Sequence, residues 1–168
     1  MILDYRTVYL LLGSNLGHRH KLVNDAVDLI NKRIGDVISR SSLYETAAWG
    51  VTDQPAFLNV AVEVKTQLSP LQVLDQALEI EQMLGRVRLE KWGARLIDID
   101  LIFYGDEIID FEGRLQVPHP QLQNRKFVLQ PLAEIAPHYI HPFYQKSVSE
   151  LLAALTDELP VTKINSIL

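Results

Sequence analysis

The chain has no cysteine, which excludes a disulfide framework, a thiolate metal site and a thiol nucleophile. No apolar run approaches the roughly 18–20 residues needed to cross a bilayer. Positive charge is the minority sign: 16 Lys and Arg against 21 Asp and Glu give a net charge of -5. That balance argues against a general nucleic-acid or membrane-surface binder, while leaving room for a local basic patch. The opening Met1-Ile2-Leu3-Asp4-Tyr5-Arg6 has neither the layout nor the cleavage site of a signal peptide, so a cytoplasmic address is expected. Internal repeats, low-complexity tracts and Pro/Gly/Ser-rich linkers are also missing. So is the G-x-x-x-x-G-K-[ST] phosphate loop. What remains is 168 residues, 48% of them hydrophobic, which suits one domain over 1–168 with a substantial core.

Apolar periodicity divides this domain into elements. Val8 to Leu12 is a short apolar run stopped by Gly13-Ser14-Asn15, the pattern of a buried strand entering a turn. Leu22, Val23, Ala26, Leu29, Ile30 and Ile34 recur at helical spacing, predicting a helix over about 20–33 that stops at Gly35. Val37 to Thr46 reads as a strand, and Trp49 to Pro55 as a loop. Over 57–66, Leu58, Val60, Val62 and Val64 point one way, and Phe57, Asn59, Ala61 and Glu63 the other. Ser69-Pro70 opens a helix that ends at Gly85, and Leu96 to Tyr104 is a further strand. The order β-α-β-β-α-β predicts an α+β, ferredoxin-like core, an antiparallel sheet with both helices on one face. A hairpin around 107–117, a helix near 127–135 and a helix near 147–157 follow as C-terminal additions. The sheet face opposite the two helices is then left for chemistry, roofed by loops and later segments.

The candidate chemistry clusters on that face. In the strand Leu96-Ile97-Asp98-Ile99-Asp100-Leu101-Ile102-Phe103, alternation places Asp98 and Asp100 on one side and Ile97, Ile99, Leu101 and Phe103 on the other. Two like charges in an apolar strand call for a positive partner. Magnesium, a hard cation that takes oxygen ligands and keeps exchangeable waters, is one such partner; arginines, or a wet face, are others. Just upstream, the segment 85–95 carries Arg86, Arg88, Lys91 and Arg95 against one acid, Glu90, with Gly85, Trp92 and Gly93 favouring a loop. It is either a solvated loop or an anion clamp, since guanidinium groups bind phosphate and stabilise charge in phosphoryl transfer. On helix 70–84, Leu71, Leu74, Ala77, Leu78, Ile80 and Leu84 define an apolar arc with Glu81 near its middle. That carboxylate must meet a ligand or a structural cation. Phe57 beside Asn59 suits a flat, hydrogen-bonding heterocycle, or is core. Phe127, near Arg125, offers a second aromatic face. His119, between Pro118 and Pro120, contacts a phosphate or caps a turn. His18, His20, His138 and His141 show no ligand spacing and read as surface residues.

Taken together these motifs resemble the 6-hydroxymethyl-7,8-dihydropterin pyrophosphokinase family, from about Val8 to Leu155. The resemblance is carried by Gly13-Ser14-Asn15-Leu16-Gly17, Ser42-Leu43-Tyr44-Glu45-Thr46 and Asp53-Gln54-Pro55-Ala56-Phe57-Leu58-Asn59. Gly85-Arg86-Val87-Arg88, Trp92-Gly93-Ala94-Arg95-Leu96-Ile97-Asp98-Ile99-Asp100, Val117-Pro118-His119 and Asn124-Arg125-Lys126-Phe127-Val128-Leu129 complete it.

The resemblance implies transfer of pyrophosphate from ATP to the substrate hydroxymethyl group, with release of AMP, in folate biosynthesis. It implies that Asp98 and Asp100 hold two magnesium ions, and that Arg86 and Arg95 neutralise the transferring group. Glu81, Arg88, Trp92, Arg114, His119 and Arg125 would bind ATP. The pterin would stack between Phe57 and Phe127, with Asn59 and the backbone around Thr46, Ala48 and Trp49 reading its edge. The partners implied are these two small molecules, with no nucleic acid and no membrane, acting on a monomer. The chain departs from the family pattern at Ala47-Ala48, where prolines are common, at Lys91 and Ala94, where Arg and Pro are common, and in an Arg-rich loop one residue short. These departures bear on loop stiffness and ATP affinity. An RNA-binding sheet is the rival from another class, but the chain is acidic and lacks the aromatic pattern. A non-catalytic regulatory domain is a second rival, and it gives no reason for paired aspartates beside an arginine cluster.

Overall fold

The computed structural model describes residues 4–46, 56–85, 96–156 and 160–164. Within them the chain runs β1 (Arg6–Ser14), α1 (Arg19–Arg33), β2 (Gly35–Arg40), β3 (Leu43–Thr46), β4 (Phe57–Thr66), α2 (Pro70–Gly85) and β5 (Asp98–Tyr104). It continues with β6 (Ile109–Phe111), β7 (Leu115–Val117), α3 (Lys126–Ile135), α4 (Val148–Ala153) and β8 (Val161–Ile164). The main sheet has the order β5-β1-β4-β3-β8, with β2 pairing β4 above β3. Its pairings are antiparallel. Counting β2 and β3 as one interrupted strand, the first four strands give the ferredoxin-like arrangement expected from the sequence.

The interruption corrects the expected single strand over Val37 to Thr46. At the break, Ser41 N–H donates to the Ala61 carbonyl while Ser41 Oγ accepts from Ala61 N–H. The hydroxyl thus takes over one backbone bond of the ladder, and the strand can kink without orphaning a buried group.

Helix boundaries follow capping chemistry. Ser69 Oγ accepts the Gln72 N–H and Gln72 Oε1 accepts the Ser69 N–H, a reciprocal cap that starts α2 directly before Pro70. Ser147 and Glu150 make the same reciprocal cap for α4. That helix ends at Ala153, shorter than the expected 147–157. At the end of α1, Gly35 is already the first residue of β2, and its missing side chain matters because a Cβ there would collide with the Lys65 backbone.

Two cores flank the sheet. On one face Leu10, Leu12, Leu58, Val60, Val62 and Val64 meet Val23, Ala26 and Ile30 of α1 and Val73, Ala77 and Ile80 of α2. The buried stripe of α2 is therefore Val73, Ala77, Ile80 and Glu81. Leu78, assigned to the apolar arc from the sequence, is exposed. On the opposite face Tyr9, Leu11, Ala61, Ile102 and Phe103 pack against Val128, Leu129 and Leu132 of α3 and Val148 and Leu151 of the α4 region.

The pairing of β1 with β5 jumps from Tyr9↔Phe103 to Leu10↔Leu101, so Ile102 is an extra residue. The resulting bulge turns Phe103 onto the second core, away from Ile97, Ile99 and Leu101, which stay with the first. Simple alternation placed all four together, and the bulge is what corrects it. Among the described residues no helix is long and apolar enough to cross a membrane.

Candidate active site

Asp98, Asp100, Asn59, Thr46 and Phe57 share the sheet face of the second core, whereas Glu81 lies on α2 and Arg114 is tied to it. Register fixes their order across the strands. Asp98 of β5 pairs with Gly13 of β1, Gly13 with Asn59 of β4, and Asn59 with Tyr44 of β3. Directly paired residues project to the same side, so Asp98, Gly13, Asn59 and Tyr44 form one cross-strand row. At about 4.8 Å per strand, the Asp98 and Asn59 backbones lie about 10 Å apart. Two residue pairs farther along, Asp100 lies opposite Leu11, on the same side as Asp98. Phe57 lies opposite Thr46, on the same side as Asn59.

Backbone clamps hold Asp98 from both sides. Ser14, only 1% exposed at the end of β1, donates its hydroxyl to the Leu96 carbonyl at 2.7 Å. Glu81, 8% exposed on α2, accepts the Ile99 N–H at 2.7 Å. Since β5 is an edge strand, that N–H faces away from β1, and the carboxylate gives it the partner a sheet interior would have supplied. On the same edge His119 N–H donates to the Ile102 carbonyl. Asp98 is partly buried and Asp100 exposed.

His119 lies within electrostatic reach of both Asp100 and Arg125. Burial lowers the pKa of His119, the Asp100 carboxylate partly opposes that shift, and the Arg125 guanidinium reinforces it. His119 Nδ1 accepts the Gln121 N–H, so the ring does cap a turn. Arg125 stands over the face of Phe127, 5.7 Å from its centroid, and Phe127 borders the second core. Arg114, on the turn between β6 and β7, is ion-paired to Asp75 of α2 at 3.0 Å, both side chains more than half exposed. Thr46 is buried, and its Oγ1 has no hydrogen-bond partner among the described residues.

The structure therefore brings together Asp98, Asn59, Phe57 and Thr46 along the sheet and Asp100, His119, Arg125 and Phe127 beside it. Ala48, Trp49, Arg86, Arg88, Trp92 and Arg95 lie outside the described residues, as do the expected loop over Trp49 to Pro55 and the Arg-rich segment. Among the described residues there is no cluster of three or more His, Asp or Glu arranged as a metal cage. His141 corrects the reading as a surface residue: it is 3% exposed, and its Nδ1 accepts the N–H groups of Phe143 and Tyr144. Two residues that tie down the backbone around these positions were given no such role from the sequence. One is Ser14, whose acceptor is 82 residues away. The other is Arg19, which donates to Glu45 Oε2 at 2.9 Å and to the Ala56 carbonyl at 2.8 Å, tying the end of β3 to the start of β4. Pattern reading carries no signal for such long-range partners.

A ferredoxin-like α+β sheet with an acidic pair on an open edge defines the structural class. Within it, the sequence profile of the 7,8-dihydro-6-hydroxymethylpterin-pyrophosphokinase family matches residues 9–137. The chain belongs to that family. It is 42% identical over 144 residues to the 2-amino-4-hydroxy-6-hydroxymethyldihydropteridine pyrophosphokinase of Aquifex aeolicus, covering 86% of this chain and 89% of that protein. It is 40% identical over 155 residues to the folic acid synthesis protein of Pneumocystis carinii, covering 92% of this chain but only 21% of that longer protein. Among solved structures, a chain described as HPPK-DHPS in complex with substrates superposes with a TM-score of 0.73 at 15% identity, covering 89% of this chain and 43% of that one. That likeness concerns the fold.

Proposed function

We propose that the chain transfers pyrophosphate from ATP to the hydroxymethyl group of 6-hydroxymethyl-7,8-dihydropterin, giving the pterin diphosphate and AMP, in folate biosynthesis. The observation that carries this reading is the cross-strand row itself, in a chain of this family. Asp98 stands about 10 Å from Asn59 across Gly13, enough to seat a heterocycle at one end and a phosphate chain at the other.

At the pterin end, Phe57 and Phe127 supply the stacking faces and Asn59 reads the edge, with Thr46, Ala48 and Trp49 beside it. The buried hydroxyl of Thr46, without a partner among the described residues, supports this, because such a group is rare in a folded protein and a bound molecule would satisfy it. At the phosphate end, Glu81, Arg88, Trp92, Arg114, His119 and Arg125 bind ATP, and Arg86 and Arg95 neutralise the transferring group. The donor set of Asp98 and Asp100, two carboxylates on one side of a strand with Asp100 exposed, fits magnesium, which needs only one or two carboxylates beside water and phosphate. Two magnesium ions held there would neutralise triphosphate charge.

The reaction forms a bond from the substrate hydroxymethyl oxygen to the β-phosphorus and breaks the bond from that phosphorus to the bridging oxygen of AMP. The chain's work is to align these atoms and to hold cations around them. The proposal treats residues 1–168 as one catalytic domain, monomeric and cytoplasmic. Incubation with ATP, magnesium and the hydroxymethyl dihydropterin tests it. AMP and pterin diphosphate are expected in equal amounts, and a folded chain that forms neither would refute the reading.

A further inference from the structure

Gly13 is the penultimate residue of β1, still paired on both sides, with Asn59 to one side and Asp98 to the other. A glycine there weakens a strand, since it loses more backbone entropy than other residues and packs no side chain. No unusual backbone angle explains it: among the described residues the glycines with positive φ are Gly17, Gly105 and Gly113. Space explains it instead. A Cβ built on Gly13 would lie 2.6 Å from Asn59 Oδ1, closer than real Cβ atoms come to an oxygen. The carboxamide of Asn59 therefore leans off β4 and across β1 toward Asp98, over the place where any other residue would carry a side chain. Asn59 is 5% exposed, so the displaced amide would have little free room.

We propose that Gly13 is a positioning residue for the pterin: its bare backbone lets the Asn59 carboxamide lie across β1, between the heterocycle and the acidic pair. The inference rests on Asn59 reading the pterin edge, as proposed above. Any side chain at 13 raises the amide off the sheet and spoils its hydrogen bonds to the heterocycle, while the triphosphate end keeps its own groups.

Binding of 6-hydroxymethylpterin, measured by calorimetry with magnesium and a non-hydrolysable ATP analogue present, tests this on the full chain. Asn59→Ala is expected to weaken binding about tenfold or more, the worth of one or more ligand hydrogen bonds. Gly13→Ala is expected to weaken it comparably, and Gly13→Ala/Asn59→Ala no further than Asn59→Ala alone. The melting temperature gives a second reading: the double variant should melt above Gly13→Ala, because its collision partner is gone. Normal pterin binding by Gly13→Ala beside a weakened Asn59→Ala overturns the role of Gly13 and leaves that of Asn59 standing. Additive losses in the double variant, or a Gly13→Ala chain that misfolds and is not rescued by Asn59→Ala, also overturn it. Normal binding by Asn59→Ala overturns both roles.

Discussion

The carboxylate of Glu81 accepts the backbone N–H of Ile99 at 2.7 Å. A helix on one side of the sheet thus fixes the one residue that lies between Asp98 and Asp100. The charge sits on the buried stripe of α2, and a backbone donor offsets part of its desolvation.

Glu81→Ala leaves that edge N–H without its partner. We expect a stability loss of about 1–3 kcal/mol, read as a lower urea midpoint at unchanged slope. Glu81→Gln keeps an acceptor oxygen and should recover most of it. Equal losses in both variants would show that the charge, and not the hydrogen bond, carries the stability.

Ser14→Ala removes the clamp on the Leu96 carbonyl. A loss of about 1 kcal/mol is expected, together with a fall in kcat that exceeds any rise in the pterin KM, because Leu96 leads into Asp98 and not into Asn59. A variant that changed only the pterin KM would disprove that assignment.

Asp100 is exposed, so Asp100→Asn should fold with an unaltered melting temperature while kcat drops about 100-fold or more. The same substitution has a direct spectroscopic consequence. Because the Asp100 carboxylate favours protonated His119, its neutralisation should move the imidazole titration of His119 to still lower pH. An unmoved titration would place Asp100 away from that ring.

His141 carries an acid-stability prediction. Burial holds its pKa below the ordinary 6.5, and its Nδ1 already accepts two N–H groups. The unfolded chain therefore takes up this proton first on acidification. The contribution is full above pH 6.5 and is lost progressively as pH falls below that value toward the folded pKa. His141→Asn should flatten the change in unfolding midpoint between neutral and mildly acidic pH. A slope as steep as that of the parent chain would exclude His141 as its source.

Much of this was legible in the residues, for reasons that differ by position. The valine alternation over Leu58 to Val64 fixed both faces of β4, and the Ser69-Pro70 start of α2 was readable because capping is local chemistry. Placing Asp98 and Asp100 on one side needed only the period of a strand. The failures share a cause. The break at Ser41 and the bulge at Ile102 depend on partners across the sheet, and the burial of His141 on its packing against Phe103; local periodicity encodes neither. Strand β8 was missed for the same reason: Val161–Ile164 is short, and it is a strand by virtue of pairing with β3. Leu78 lay within the apolar arc of α2, yet the sheet beneath meets Val73, Ala77 and Ile80 instead.

The extra residue at Ile102 divides β5 into two jobs. Before it, the outer face carries two acids, Asp98 partly buried and Asp100 exposed; after it, the same face presents Phe103 to the aromatic rings of Tyr9 and Tyr139. Had the strand kept strict alternation, Ile102 alone would have followed Asp98 and Asp100 along that face, and Phe103 would have pointed to the other core. The bulge acts as a shoreline, letting one short strand serve a charged basin at its start and a dry foundation at its end.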